Sequence, residues 1–187
     1  DGVSRVTSKP AIFETAIARS PAYDDLLVPL ARTGLGPEAI YERLAVRDIQ
    51  EAADILRPVY DKSQRRDGFV SLEVSPRLAH ETETTISEAI RLWEMVDRPN
   101  LMIKVPATPA GIPAIRALIA EGVNVNVTLL FSRVYYEQAA LAYKDGLEAR
   151  VIRGQDISGV SSVASVFVSR IDSAVDAALC EKARFRE

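Results

Sequence analysis

The sequence predicts an α/β fold built on parallel strands, and three observations carry that expectation. Five short β-rich segments recur: Val3–Ser8, Phe69–Val74, Leu101–Val105, Val123–Leu130 and Ser161–Val168. Stretches with helical patterning separate them, and strict alternation of strand and helix means parallel strands joined by right-handed crossovers. Such a chain forms either a barrel or a doubly wound open sheet. Neither G-x-G-x-x-G nor G-x-x-x-x-G-K-[ST] occurs, which removes the signature of the nucleotide-binding sheets and favours the barrel.

The elements follow in order. Between Tyr23 and Arg66 the signals predict two helices. Pro37 after Gly36 starts the first, with Ile40 and Leu44 at helical spacing; "DIQE", Asp48 to Glu51, reads as a capping box that opens the second. Pro58 should end or kink that helix. In "FVSLEVS" alternation puts Leu72 and Val74 on one face and Glu73 on the other. Ile86, Ile90 and Trp93 give an i, i+4, i+7 apolar face, and Thr108 before Pro109 reads as an N-cap and first helical residue. Ser132 caps a helix through "RVYYEQAALAYKDG". With no low-complexity segment, linker or duplicated motif, residues 1–187 are expected to form a single barrel-type domain.

Composition narrows the function. The 187 residues are 48% hydrophobic and 26% charged, enough for one sizeable core. A formal charge of -3 gives no basic field for nucleic acid or an anionic membrane, so small-molecule chemistry is expected, with any anion site local. The single cysteine, Cys180, cannot close an intramolecular disulfide, and no Cys and His residues cluster at metal-ligand spacing. A reducing, cytoplasmic compartment and no metal or cofactor are the expectation. No apolar run approaches the roughly 18 residues of a membrane span, and no signal peptide is visible. The sequence opens on "DGVSRVTS" without methionine, so the natural N-terminus is expected upstream.

Polar residues recur within or at the ends of the strands: Thr7, Lys9, Glu73, Lys104, Asn126, Thr128 and Ser165. In a barrel they would converge on the lumen and on the mouth at the carboxyl ends. "NLMIKVPATPAG" places Lys104 in an aliphatic run. A buried ammonium is costly unless it is paired, snorkels to water or loses its proton, and the last option makes it a nucleophile. Glu73 can point into the same enclosure, where a purely structural ion pair with Lys104 competes with a chemical role. "VNVNVTLLF" alternates strictly, with Asn124, Asn126 and Thr128 on one face and Val123, Val125, Val127 and Leu129 on the other. A solvated polar face explains that pattern in an open sheet; in a barrel the polar groups need buried partners or a ligand. Ser165 and Arg170 supply a hydroxyl and a guanidinium suited to an anion, although a surface arginine at a helix end is the plain alternative. His80, the sole histidine, reads as a surface residue, which argues against Ser-His-Asp and Cys-His mechanisms.

These motifs carry a resemblance. "GVSRVTSKPAIF", "SLEVSPRLAHET", "LMIKVPATPAGI", "VNVNVTLLFS" and "SSVASVFVSRID" resemble, in order, successive strand motifs of the transaldolases, especially the longer bacterial form also found fused to phosphoglucose isomerase. The resemblance implies a (β/α)8 TIM barrel, of which the chain covers roughly strands 2 to 6. It also implies transfer of a dihydroxyacetone unit between sugar phosphates, in the pentose phosphate pathway, through a lysine Schiff base without a cofactor. On that pattern Lys104 is the Schiff-base lysine, Glu73 and Thr128 assist catalysis, and Asn126 binds substrate. Ser165 and Arg170 would hold phosphate. Phe167 and Glu73 favour transaldolase over the related fructose-6-phosphate aldolases, which carry Tyr and Gln there.

Two departures stand out. The family's first strand bears an acid/base aspartate, and this chain is expected to start at the second strand. The family's T-S-N-P reads Thr7-Ser8-Lys9-Pro10, so Lys9 stands where a substrate-binding asparagine is expected. The alternatives are a noncatalytic, vestigial sugar-phosphate-binding barrel fragment and a simple fructose-6-phosphate-type aldolase. Fusion to, or association with, a phosphoglucose isomerase domain is the partner that the resemblance implies.

Overall fold

The structure is a computed structural model that describes residues 3–8 and 10–184. Strands β1 (Val6–Thr7), β2 (Val70–Glu73), β3 (Leu101–Pro106), β4 (Val125–Leu130) and β5 (Ser162–Val166) lie in sequence order in one sheet. Every neighbouring pair is parallel. The sheet curls into a half-barrel, as the partial (β/α)8 expectation requires. Helices α1 (Pro10–Arg19), α2 (Asp24–Ala31) and α3 (Pro37–Lys62) lie between β1 and β2; α4 (Thr82–Val96), α5 (Gly111–Glu121) and α6 (Arg133–Ile152) fill the later crossovers. After β5 comes α7 (Val168–Arg184).

Strand alternation builds two unlike faces. The outward residues Val70, Leu72, Val74, Ile103, Val105 and Val125 pack with α3, α4 and α5 into the main core. On the other face Phe69 and Met102 meet Tyr60 and Val163 in a small apolar cluster, nearer the amino ends of the strands than the polar residues. Ile86, Ile90 and Trp93 pack against the main core, as their spacing predicts.

Several helix boundaries correct the sequence expectation. Pro37–Lys62 is one continuous helix, so "DIQE" opens nothing, and the break falls instead between Ala31 and Pro37. The reason is packing: Ala45, Val46, Ile49, Ala53 and Leu56 form one buried stripe that runs across Asp48. The Asp48 carboxylate accepts a hydrogen bond from the Tyr23 hydroxyl rather than capping a helix. Pro58 lies inside α3, near its end. Helix α5 begins at Gly111, three residues beyond Thr108, yet the Thr108 hydroxyl still accepts from the Gly111 amide at 2.9 Å. A Cβ at Gly111 would run into the Pro106 carbonyl oxygen, so the tight turn after β3 requires glycine. Ser132 caps α6 as expected, its hydroxyl accepting from the Val134 amide at 3.2 Å.

Candidate active site

Parallel register places Glu73 beside Lys104 and Lys104 beside Asn126, so three polar side chains stand in one row across β2, β3 and β4. One step nearer the carboxyl ends, Pro106 pairs with Thr128. All five positions share the lumen phase of their strands, because each is separated from Met102, Ser71 or Asn124 by two residues or a multiple of two.

Lys104 is 3% exposed, and its Nζ lies 3.4 Å from Oε2 of the half-buried Glu73. The side chain therefore neither snorkels to water nor lies without a partner. Asn126 is buried with both ends of its amide engaged. Its Nδ2 donates to the Ser71 hydroxyl at 3.0 Å, and its Oδ1 accepts from the Ser165 hydroxyl at 2.7 Å. This chain of three side chains bridges β2 to β5 over the face of β3. Thr128 is 1% exposed, and its Oγ1 has no hydrogen-bond partner among the described residues. A buried hydroxyl without a partner is a costly arrangement that a water or a ligand would relieve.

Other expected residues lie apart from this row. Arg170 is exposed in the first turn of α7, with its guanidinium carbon 4.6 Å from the centre of the Phe167 ring. Phe167 in turn stacks on Phe131, with ring centres 5.8 Å apart and planes inclined by 16°. The Ser165 hydroxyl is directed to Asn126 instead of standing with Arg170. Thr7 is exposed, and the buried hydroxyl at the end of β1 belongs to Ser8, which donates to the Ser71 carbonyl at 2.8 Å. Lys9 lies outside the described residues. His80 is exposed in the loop after β2.

Asn124 shares the polar face but works as a clip. Its Nδ2 donates to the Leu101 carbonyl at 3.0 Å, and its Oδ1 accepts from the Ser161 amide at 2.8 Å, tying β4 to both neighbours. Ser71 is the residue that the sequence reading missed. Its signal was available, since it precedes Glu73 by two in "FVSLEVS" and must share that residue's face. A cleft of about 380 Å³ lies on the other side of Glu73, bordered by Phe13, Tyr41, Leu72 and Arg77; Lys104 does not line it. Among the described residues no group of three His, Cys, Asp or Glu side chains is placed to hold a metal, and no helix is long and apolar enough to cross a membrane.

A curled parallel sheet with a buried, carboxylate-paired lysine on its concave face, beside amide and hydroxyl groups, defines an α/β protein of the barrel class with a polar lumen. The chain belongs to the transaldolase/fructose-6-phosphate aldolase family, whose pattern it matches over residues 1–187. It is 55% identical over 172 residues to Transaldolase 2 of Nostoc punctiforme, covering 92% of this chain and 45% of that protein. It is 50% identical over 181 residues to the Transaldolase of Trichodesmium erythraeum, covering 97% and 48% respectively. The Transaldolase of Thiobacillus denitrificans is 51% identical over 179 residues, covering 96% of this chain and 50% of its own length. The chain thus spans about half the length of the curated relatives that it matches.

Proposed function

We propose that this chain carries the Schiff-base half of a transaldolase site, with Lys104 as the nucleophile. The observation that carries this reading is the burial of Lys104 in the lumen, 3.4 Å from Glu73, and the unpartnered Thr128 hydroxyl adds support. The names of the relatives support the same activity.

In this reading Lys104 first gives a proton to the Glu73 carboxylate, and its neutral Nζ adds to the carbonyl carbon of a ketose phosphate, fructose 6-phosphate or sedoheptulose 7-phosphate, to give a carbinolamine. Protonation of its hydroxyl and loss of water leave an iminium. Glu73 and Thr128 hold the water through which these protons move. The C4 hydroxyl then loses its proton to the carboxylate that the family carries on its first strand. The C3–C4 bond breaks, its electron pair flows into the iminium as an enamine, and an aldose phosphate departs. The enamine carbon adds to the aldehyde of an acceptor aldose phosphate, and hydrolysis frees the lysine.

Asn126 orients substrate hydroxyls, while Ser165, Phe167 and Arg170 form the phosphate end. Ser165 reaches the phosphate by turning its hydroxyl away from Asn126, which frees the Asn126 Oδ1 for a substrate hydroxyl at the same moment. The role of Lys9, at the family's asparagine position, rests on the sequence resemblance. The reading further includes a cytoplasmic setting, from the single cysteine, and a place in the pentose phosphate pathway with fusion to or association with a phosphoglucose isomerase domain, from the resemblance.

Treating the protein with fructose 6-phosphate and borohydride tests the central claim, because reduction converts the iminium into a stable secondary amine. An adduct on Lys104, absent from Lys104→Ala, is expected. Labelling elsewhere, or equal labelling of the variant, sinks the assignment. Product analysis with and without an acceptor aldose phosphate distinguishes transfer from simple aldol cleavage.

A further inference from the structure

Strict alternation in β4 would send Leu129 outward into the main core and Leu130 into the lumen. The structure departs from that pattern. Leu129 has a φ of +59° and is 44% exposed, while Leu130 is 2% exposed and belongs to the main core. Against β5 the register runs from Val127 opposite Ala164 to Leu130 opposite Val166, so three steps on β4 meet two on β5. Leu129 is the extra residue of a β-bulge. A left-handed backbone is uncommon outside glycine, and for a branched side chain it stores strain that the surrounding packing must hold.

That strain has two consequences beside the proposed site. It keeps the Leu130 side chain in the main core and out of the lumen just beyond Thr128, whose carbonyl is pinned on the other side by the Ala107 amide at 2.8 Å. It also turns the chain so that Phe131 stacks on Phe167, the ring beneath Arg170. With Leu129 in ordinary extended geometry, Leu130 would enter the lumen beside Thr128 and Phe131 would leave the stack. Bulges next to functional groups commonly re-aim a side chain in this way.

We propose that Leu129 is a positioning residue, which acts through its left-handed backbone to hold Thr128 in the lumen and the Phe131–Phe167 stack at the mouth. This inference rests on the Schiff-base reading. The effect belongs to the backbone and not to the half-exposed side chain. Glycine should therefore serve best, alanine less well, and valine, stiff at χ1 and poorly suited to positive φ, worst.

The test is the time course of borohydride trapping with fructose 6-phosphate in Leu129→Gly, Leu129→Ala and Leu129→Val, expressed per folded molecule with melting temperatures measured in parallel. The trapping rate is expected to fall in the order Gly, Ala, Val, with Val on the order of tenfold below Gly. A merely structural role would order the melting temperatures but leave the rate per folded molecule unchanged, and that result overturns the proposal. So does a Gly variant slower than the Ala variant, which would make the side chain the active part. If Leu129→Val does not fold, the Gly and Ala rates decide: Gly faster supports the inference, and Gly equal or slower overturns it. An unsubstituted protein that traps no adduct on Lys104 overturns the Schiff-base reading and takes this inference with it. Normal trapping with no dependence on the residue at position 129 overturns the inference alone.

Discussion

The Nζ of Lys104 and the Oε2 of Glu73 stand 3.4 Å apart on neighbouring strands, with the lysine almost fully buried and the carboxylate partly open to solvent. A pair of this kind can serve structure or proton transfer, and substitution separates the two. Glu73→Gln keeps the shape and one acceptor oxygen but removes the proton-transferring group. It is expected to slow imine formation and hydrolysis with near-normal affinity for the sugar, because a relay acts in the transition state. Rapid kinetics with fructose 6-phosphate checks this. A variant that fails to fold would assign the pair to structure alone.

Arg170→Ala tests whether the mouth reads a phosphate. The guanidinium is exposed over the Phe167 ring, free to make charge-assisted hydrogen bonds. Losing such a contact costs about 1.5–3 kcal/mol, so the Michaelis constant for phosphorylated sugars should rise by roughly ten- to a hundredfold. Unphosphorylated dihydroxyacetone donors, which never used the contact, should change much less. Equal effects on both would place the anion site elsewhere.

Ser71→Ala should destabilise the protein by about 1–3 kcal/mol, since it leaves the buried Nδ2 of Asn126 without its acceptor. Denaturant unfolding measures the loss. The same variant should weaken substrate handling through a loosened Asn126, and Asn126→Ala combined with Ser71→Ala should add little beyond the single changes if the two act as one unit.

Arg91 spans Glu42 on α3 and Glu88 on α4. Its hydrogen bonds hold the Glu42 carboxyl below the usual carboxylate range, against the opposing push of partial burial. A carboxylate depressed in the folded state contributes stability that is present above its unfolded value and is lost as pH falls through the folded one. Arg91→Ala should therefore lower the melting temperature at neutral pH, by the equivalent of about 0.5–1 kcal/mol for so exposed a network. The gap should close as the pH drops below the carboxylate range. A gap that stays constant into acid would show that Arg91 acts by packing its aliphatic stem.

Much of this architecture was legible because it follows from local period. Alternation in "FVSLEVS" and "VNVNVTLLF" reports which side chains share a face, so the phase of Glu73, Asn126 and Thr128 could be read before any packing was known. Helix ends were less legible. The capping box at Asp48 is a real local preference, but the buried stripe from Ala45 to Leu56 outweighs it, and a stripe's energy depends on the sheet beneath it. Ser71 was missed for the opposite reason: serine in a strand carries no strong signal until its partner, Asn126, is known.

The parallel α/β order, the two faces of each strand and the candidate lysine can be read from residues two to four apart, because short-range periodicity carries them. That Glu73, Lys104 and Asn126 stand in one row comes from packing, since register between strands is a long-range relation that no single strand encodes. Packing likewise turns Ser165 to Asn126 rather than to Arg170. The inversion at Leu129 belongs to the same class: strict alternation assigned that side chain to the core, and competition between Leu129 and Leu130 for one buried place, settled by the slip against β5, put Leu130 there instead.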